Sequence, residues 1–164
     1  MNAKTVNILQ SALGESGPHL ARLLLRCQQE PRLRAFACAC ARFALRACEL
    51  DDPVLWQAVN VADRYDALST VDRDLSILMR AAEAQVDQLD NDAFTAQDRE
   101  EAGTVPQGTY QRAFQRARAA TSALRCLSAS AMDAAVEACY EAYFATGNAG
   151  AFATMGEAMF NQRD

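Results

Sequence analysis

Between Leu33 and Ala47 the chain repeats one spacing. Leu33, Phe36, Ala37, Cys40, Phe43, Ala44 and Ala47 recur at i, i+3, i+4, i+7 intervals, which places them on one stripe of an α-helix. The period returns at Leu55, Ala58, Val59, Ala62 and Tyr65, and again at Val71, Leu75, Leu78, Ala82 and Val86. Two further stripes hold Tyr110, Ala113, Phe114, Ala117, Thr121 and Leu124, then Met132, Val136, Cys139, Tyr140 and Tyr143. Leucine plus methionine number 21 against 10 for valine plus isoleucine, so composition reinforces helix over strand. The 34 alanines let helix axes approach closely. The predicted fold class is all-α, a compact bundle of about seven or eight helices.

Local signals set the boundaries. Val6, Leu9 and Leu13 mark a first short helix, and Leu20, Leu23, Leu24 and Cys27 a second that opens at Pro18. Pro31 ends the second, and the striped helix then runs over about 32–50. Asp52 is placed to cap a helix whose first residue is Pro53. Ser69 with Asp72, and Ser130 with Asp133, have capping-box spacing. Gly147 is a C-terminal stop, and Phe152, Met155, Met159 and Phe160 define a last helix. Residues 91–108, polar and containing Gly103, Pro106 and Gly108, read as a connector with one helical turn near 96–101. The reading is one helical domain over 1–164, with sub-units 32–90 and 109–162. Arg34-Ala35-Phe36 matches Arg112-Ala113-Phe114, Ala44-Leu45-Arg46 matches Ala123-Leu124-Arg125, and Ala58-Val59 matches Ala135-Val136 at near-constant offsets. Those offsets predict two copies of a three-helix unit.

The run Leu33-Arg34-Ala35-Phe36-Ala37-Cys38-Ala39-Cys40-Ala41-Arg42 is followed by Ala58-Val59 and by Ala62-Asp63-Arg64-Tyr65-Asp66-Ala67-Leu68. Over about residues 30–90 it resembles an uncharacterised all-helical domain present in many copies in planctomycete proteins. That family shows a double cysteine before two arginines; here Ala41 stands in place of the second cysteine, and Arg42 alone remains. The resemblance implies a helical fold and no catalytic residues.

Charge alternates along the chain. Residues 19–50 carry six arginines against Glu30 and Glu49, and residues 51–101 carry thirteen acids against four arginines. Residues 109–128 hold four arginines and no acid, and the net charge of the whole is −5. A broad nucleic-acid footprint wants a net basic surface, so this balance argues for other partners. No apolar run reaches a membrane span, no basic-then-apolar secretion signal opens the chain, and six cysteines inside helical runs fit a reducing compartment. A cytoplasmic location is expected.

Catalytic chemistry finds little footing. His19 is the only histidine, and no phosphate-binding glycine loop, HExxH motif or ExxH pair is present. Cys38 and Cys40 lie about 200° apart around a helix, which does not converge on a metal. They read as core packing, and neither metal nor cofactor is expected. Arg34 and Arg42 flank Cys38 by one turn on what reads as the solvent face, a setting that would favour a thiolate. Asp133, Glu137 and Glu141 form an i, i+4, i+8 acidic ladder whose mutual repulsion calls for an offset. Either arginines of a neighbouring helix (Arg112, Arg116, Arg118 or Arg125) supply it, or a basic partner does. The expected function is a non-catalytic protein–protein interaction module, an adaptor, assembly subunit or immunity-type inhibitor that binds through charged helix faces. The alternative is a nucleic-acid-associated subunit that contacts phosphates through Arg34, Arg42, Arg46, Arg112 and Arg116.

Overall fold

A computed structural model of the chain describes residues 3–64 and 73–161. Its helices are α1 (Ala3–Ala12), α2 (Gly17–Arg26), α3 (Glu30–Ala47), α4 (Pro53–Arg64), α5 (Arg73–Glu101), α6 (Thr109–Arg125), α7 (Ala131–Thr146) and α8 (Ala149–Phe160). A 3-10 turn at Gly14–Ser16 joins the first two. No strand occurs among the described residues, so the chain is all-α as expected. Tyr65, Asp66, Leu68, Val71 and the Ser69–Asp72 capping box lie outside them.

The helix with the clearest period is the centre of the bundle. α3 lies against α4, α6, α7 and α8. Its predicted stripe is buried at Leu33, Phe36, Ala37, Cys40 and Ala44, and a second stripe at Arg34, Cys38, Ala41 and Leu45 is buried too. A helix covered on two sides needs small residues on its neighbours. α7 supplies Ala134, Ala135, Ala138 and Ala142, and α6 supplies Ala119, Ala120 and Ala123. At that close approach Ser122 Oγ donates a hydrogen bond of 2.7 Å to Ala138 O across the α6–α7 contact. Phe36 meets Phe160 with ring centres 5.3 Å apart, and Phe43 meets Phe152 at 5.6 Å, which ties α8 onto α3. One contiguous core runs from Leu9 through Phe152, so segments 32–90 and 109–162 share an interior.

The predicted helix ends carry the expected chemistry. Asp52 Oδ1 accepts from the backbone N–H groups of Val54 (2.9 Å) and Leu55 (3.1 Å), which caps α4 ahead of Pro53. Ser130 Oγ accepts from Asp133 N at 3.1 Å at the start of α7, and Asn148 Oδ1 accepts from Ala151 N at 3.0 Å at the start of α8. Gly147 closes α7 in the left-handed region (φ 67°), where only glycine is free of side-chain cost.

Two expectations are corrected. α2 stops at Arg26, so Pro31 does not end it but sits in the first turn of α3, where its missing N–H costs nothing. Residues 91–108 are not a connector, because α5 continues unbroken to Glu101 and only 102–108 turn the chain. Ala93 and Ala96 extend the buried series Leu75, Leu78, Ala82 and Val86, and no glycine or proline interrupts α5 before its end. Polarity misled the reading because α5 packs chiefly along α6 and buries only a narrow seam. At 29 residues α5 is about 43 Å long.

Candidate functional site

The acidic ladder on α7 is largely spent within the chain. Glu141 is 13% exposed at its side chain, and its Oε2 accepts from Arg118 Nη1 at 3.1 Å. Arg118 reaches out from α6 and also pairs with Asp90 on α5, so one guanidinium ties three helices together. Burial pushes the Glu141 carboxyl up, and the guanidinium of Arg118 opposes this without cancelling it. Burial likewise works to lower the Arg118 pKa, but Glu141 and Asp90 reverse the effect and hold it raised. Desolvation outweighs attraction at the Glu141 carboxylate and attraction outweighs desolvation at the Arg118 guanidinium, so the cluster's firm consequence is geometric, the joining of α5, α6 and α7. Glu137 Oε2 sits 3.4 Å from Arg125 Nε. Asp133 sits in the first turn of α7, where its N–H is bound by the Ser130 cap and its charge suits the helix dipole. The offset to ladder repulsion is thus intramolecular at Glu137 and Glu141, through two of the four arginines named for it.

The arginines separate in the same way. Arg34 is 4% exposed, so its placement on a solvent face is corrected. Nη1 donates to Cys126 O and Ser128 O, both at 3.0 Å, and Nη2 donates to Ala129 O at 3.2 Å. These carbonyls lie at and just past the end of α6, which leaves its last acceptors without intrahelical donors. Arg34 is a buried C-terminal cap for another helix and is not presented to phosphate. Arg42 Nη2 bridges Asp63 Oδ2 (2.9 Å) and Asn60 Oδ1 (3.2 Å), clamping α3 to α4. Arg46 is exposed and stacks its guanidinium 5.8 Å from the centre of the Trp56 ring. Arg116 makes one long contact of 3.5 Å to Glu49 O, and the exposed Arg112 side chain makes no hydrogen bond or ion pair among the described residues.

The cysteines lie in the core. Cys38, Cys40, Cys126 and Cys139 are fully buried and unbridged, so Cys38 is also corrected from a solvent-face position. Its thiol approaches Val59 O at 3.6 Å and forms a side-chain pair with Cys126. Cys40 pairs similarly with Cys139. Burial and then the Cys139 thiol hold Cys40 well above the ordinary thiol value; the Cys38 thiol and then burial do the same for Cys126. Such thiols resist ionisation and are poor nucleophiles. No group of three or more His, Cys, Asp or Glu side chains is placed to hold a metal among the described residues. His19 Nε2 lies 3.0 Å from Glu157 Oε1, between α2 and α8.

What remains outward is α5. Of its eight acids and three arginines, Glu83, Asp87 and Asp98 are exposed and enter no ion pair among the described residues. With Phe94 they follow an i, i+4, i+11, i+15 series, a single sector of the helix turned away from the α6 seam. Phe94 stands between the last two carboxylates and is 66% exposed. The sequence reads Glu83 and Asp87, with Asp63, Asp66, Asp72 and Asp90, as an acidic surface of the first unit, but a connector starting at residue 91 hides Phe94 and Asp98. The signal was present in the period shared by Leu89, Ala93 and Ala96.

The tip of the α5–α6 hairpin is also ordered by charge. Glu100 Oε1 accepts from Gly108 N (3.0 Å) and Oε2 from Tyr110 N (2.8 Å), so one carboxylate covers the start of α6. The N–H groups of Tyr110 and then Gly108 hold the Glu100 carboxyl below its ordinary value. The folded pKa is the lower one, so this contribution is present above the unfolded value and is lost as pH falls through the folded value. In an NMR titration the Gly108 and Tyr110 amide protons should shift together with a midpoint below that of an ordinary glutamate. Glu100→Gln should abolish that shared transition; separate midpoints would refute the cap.

No helix among the described residues is long and apolar enough to cross a membrane. Comparison of the chain with protein-family models, with curated proteins and with solved structures finds no match.

Proposed function

We propose that this chain is a non-catalytic protein–protein interaction module of the adaptor, assembly-subunit or inhibitor type, and that α5 is its docking face. The observation that carries the reading is Phe94, a large ring 66% exposed on a helix where Glu83, Asp87 and Asp98 are exposed and enter no ion pair among the described residues. An aromatic anchor ringed by like charge suits a basic protein segment that covers the ring with an apolar side chain and meets Glu83, Asp87 and Asp98 with lysine or arginine. The ladder Asp133, Glu137 and Glu141 is a weaker candidate, since two of its three carboxylates already have arginine partners. Nucleic-acid association is less supported as well, because Arg34 and Arg42 are committed inside the fold.

The test compares affinity purification from the source cell using the wild-type chain, Phe94→Ser, and an Asp87→Lys/Asp98→Lys double variant. These are surface positions, so unfolding midpoints should stay close to wild type. One and the same protein partner should fall by about tenfold or more in recovery with both variants, which corresponds to about 1.4 kcal/mol of binding. A partner recovered equally by all three would refute α5 as the docking face.

A further inference from the structure

The ends of α3 and α7 and the first half of α6 border a half-open cleft of about 510 Å³, within the range of volumes that small-molecule sites occupy. Arg112 and Arg116 line one side, one turn apart on α6. Like charges at that spacing repel, and neither guanidinium is neutralised by an ion pair among the described residues. Arg112 acts electrostatically on Glu100, whose two oxygens are engaged by the Gly108 and Tyr110 N–H groups.

Glu49 lines the same cleft and is exposed. It forms no ion pair with either arginine among the described residues, so the cleft holds charges of both signs that are not spent on each other. Its backbone is the one non-glycine position with positive φ among the described residues (50°). Glu49 follows α3 where Leu50 N donates to Leu45 O (2.9 Å) and Glu49 N to Arg46 O (3.1 Å), a closure that glycine makes without side-chain cost. A left-handed φ is uncommon for glutamate, and this residue lies in the lining of the cleft. Phe43 and Ala145 supply apolar wall. The Cys48 thiol is turned to Gln115 O (3.5 Å) and Ala145 O (3.7 Å), and burial raises it, so it takes no part.

We propose that this cleft binds a free α-amino acid, with the ligand carboxylate on the guanidiniums of Arg112 and Arg116 and its ammonium on the carboxylate of Glu49. Two arginines give the carboxylate charge-assisted donors, and a glutamate in the same lining distinguishes a zwitterion from a simple anion. The apolar wall accommodates an uncharged side chain. This site is separate from the α5 face and does not depend on it.

Isothermal titration of the full chain with each of the twenty standard amino acids tests the assignment. At least one should bind saturably at concentrations up to about 10 mM, and its N-acetyl and methyl-ester derivatives should each bind about tenfold or more weakly. Arg112→Gln and Glu49→Gln should lose binding by a similar factor with unchanged unfolding midpoints. Glu49→Gly serves as a folded control that also loses binding. No heat with any amino acid overturns the proposal. An N-acetyl derivative that binds as well as the free amino acid, or a Glu49→Gln chain that binds normally, overturns it too, because the cleft would then read the carboxylate alone.

Discussion

An Arg34→Met chain is expected to lose about 3 kcal/mol of unfolding free energy. Methionine keeps an unbranched apolar stem along the α3 surface and removes only the guanidinium. Three carbonyl oxygens, those of Cys126, Ser128 and Ala129, then lose the donors that reach them at 3.0–3.2 Å. Arg34 is 4% exposed and Cys126 is buried, so water does not readily replace the donor at Cys126 O. The loss combines the missing charge-assisted bonds with the cost of leaving the buried Cys126 O bare, while Ser128 is half-buried and Ala129 exposed. For a domain of this size the unfolding midpoint should drop by roughly 6–12 °C. Arg34→Lys should fall between, since one ammonium cannot span three carbonyls as a planar fork does. Denaturant unfolding monitored by circular dichroism measures the series. A loss below about 1 kcal/mol for Arg34→Met would mean the guanidinium is dispensable and that α6 ends without it.

Arg34 also shows where sequence reading stops. The period that located α3 was accurate for Leu33, Phe36, Ala37, Cys40 and Ala44, and the cap at Asp52 was legible from its place before Pro53. Ser130 and Gly147 were legible for the same reason, because caps depend on residues within one turn. Arg34 and Cys38 lie one turn apart on what a single apolar stripe marks as the outside. Only the packing of α4 and α6 against that second face buries them, and no local spacing encodes which helices a central helix touches. The α5 boundary failed for the converse reason. Its last turns face only α6, so Ala93 and Ala96 suffice as a seam and the remaining positions are free to be polar.

Complementary spacing was readable in part. Arg118 and Arg125 lie two turns apart on α6, and Glu141 and Glu137 lie one turn apart on α7; antiparallel packing brings each arginine to one carboxylate. The sequence offered four arginines as partners for the ladder, and the crossing geometry selects two. The third claim on charge, Asp90, comes from α5, which the sequence places nearby only once its full length is known. The exposed sector of α5 became visible at the same step, because Phe94 has a facing only if residue 94 is helical.

The second large effect concerns a contact with no side chain in it. Gly17 starts α2 with ordinary helical torsions (φ −60°, ψ −51°), so an alanine there suffers no backbone strain. Helix propensity and unfolded-chain entropy alone would make Gly17→Ala stabilising by about 0.4–1 kcal/mol. The packing predicts the opposite sign. A Cβ at this position would lie 2.4 Å from Leu9 O and 2.8 Å from Gln10 O, both backbone atoms of α1. Backbone cannot rotate aside as a side chain does, so α1 must move off α2, disturbing Leu9 and Leu13 in the core. Gly17→Ala should therefore destabilise by about 1–3 kcal/mol. Gly156→Ala is the matched comparison: its Cβ would meet the Leu20 Cδ1 methyl at 2.5 Å, a side-chain tip that can turn away. That change should cost well under half as much, since gained helix propensity offsets part of the rearrangement. Equal effects for the two variants, or a stabilised Gly17→Ala chain, would show that α1 is held too loosely against α2 for their backbone contact to matter.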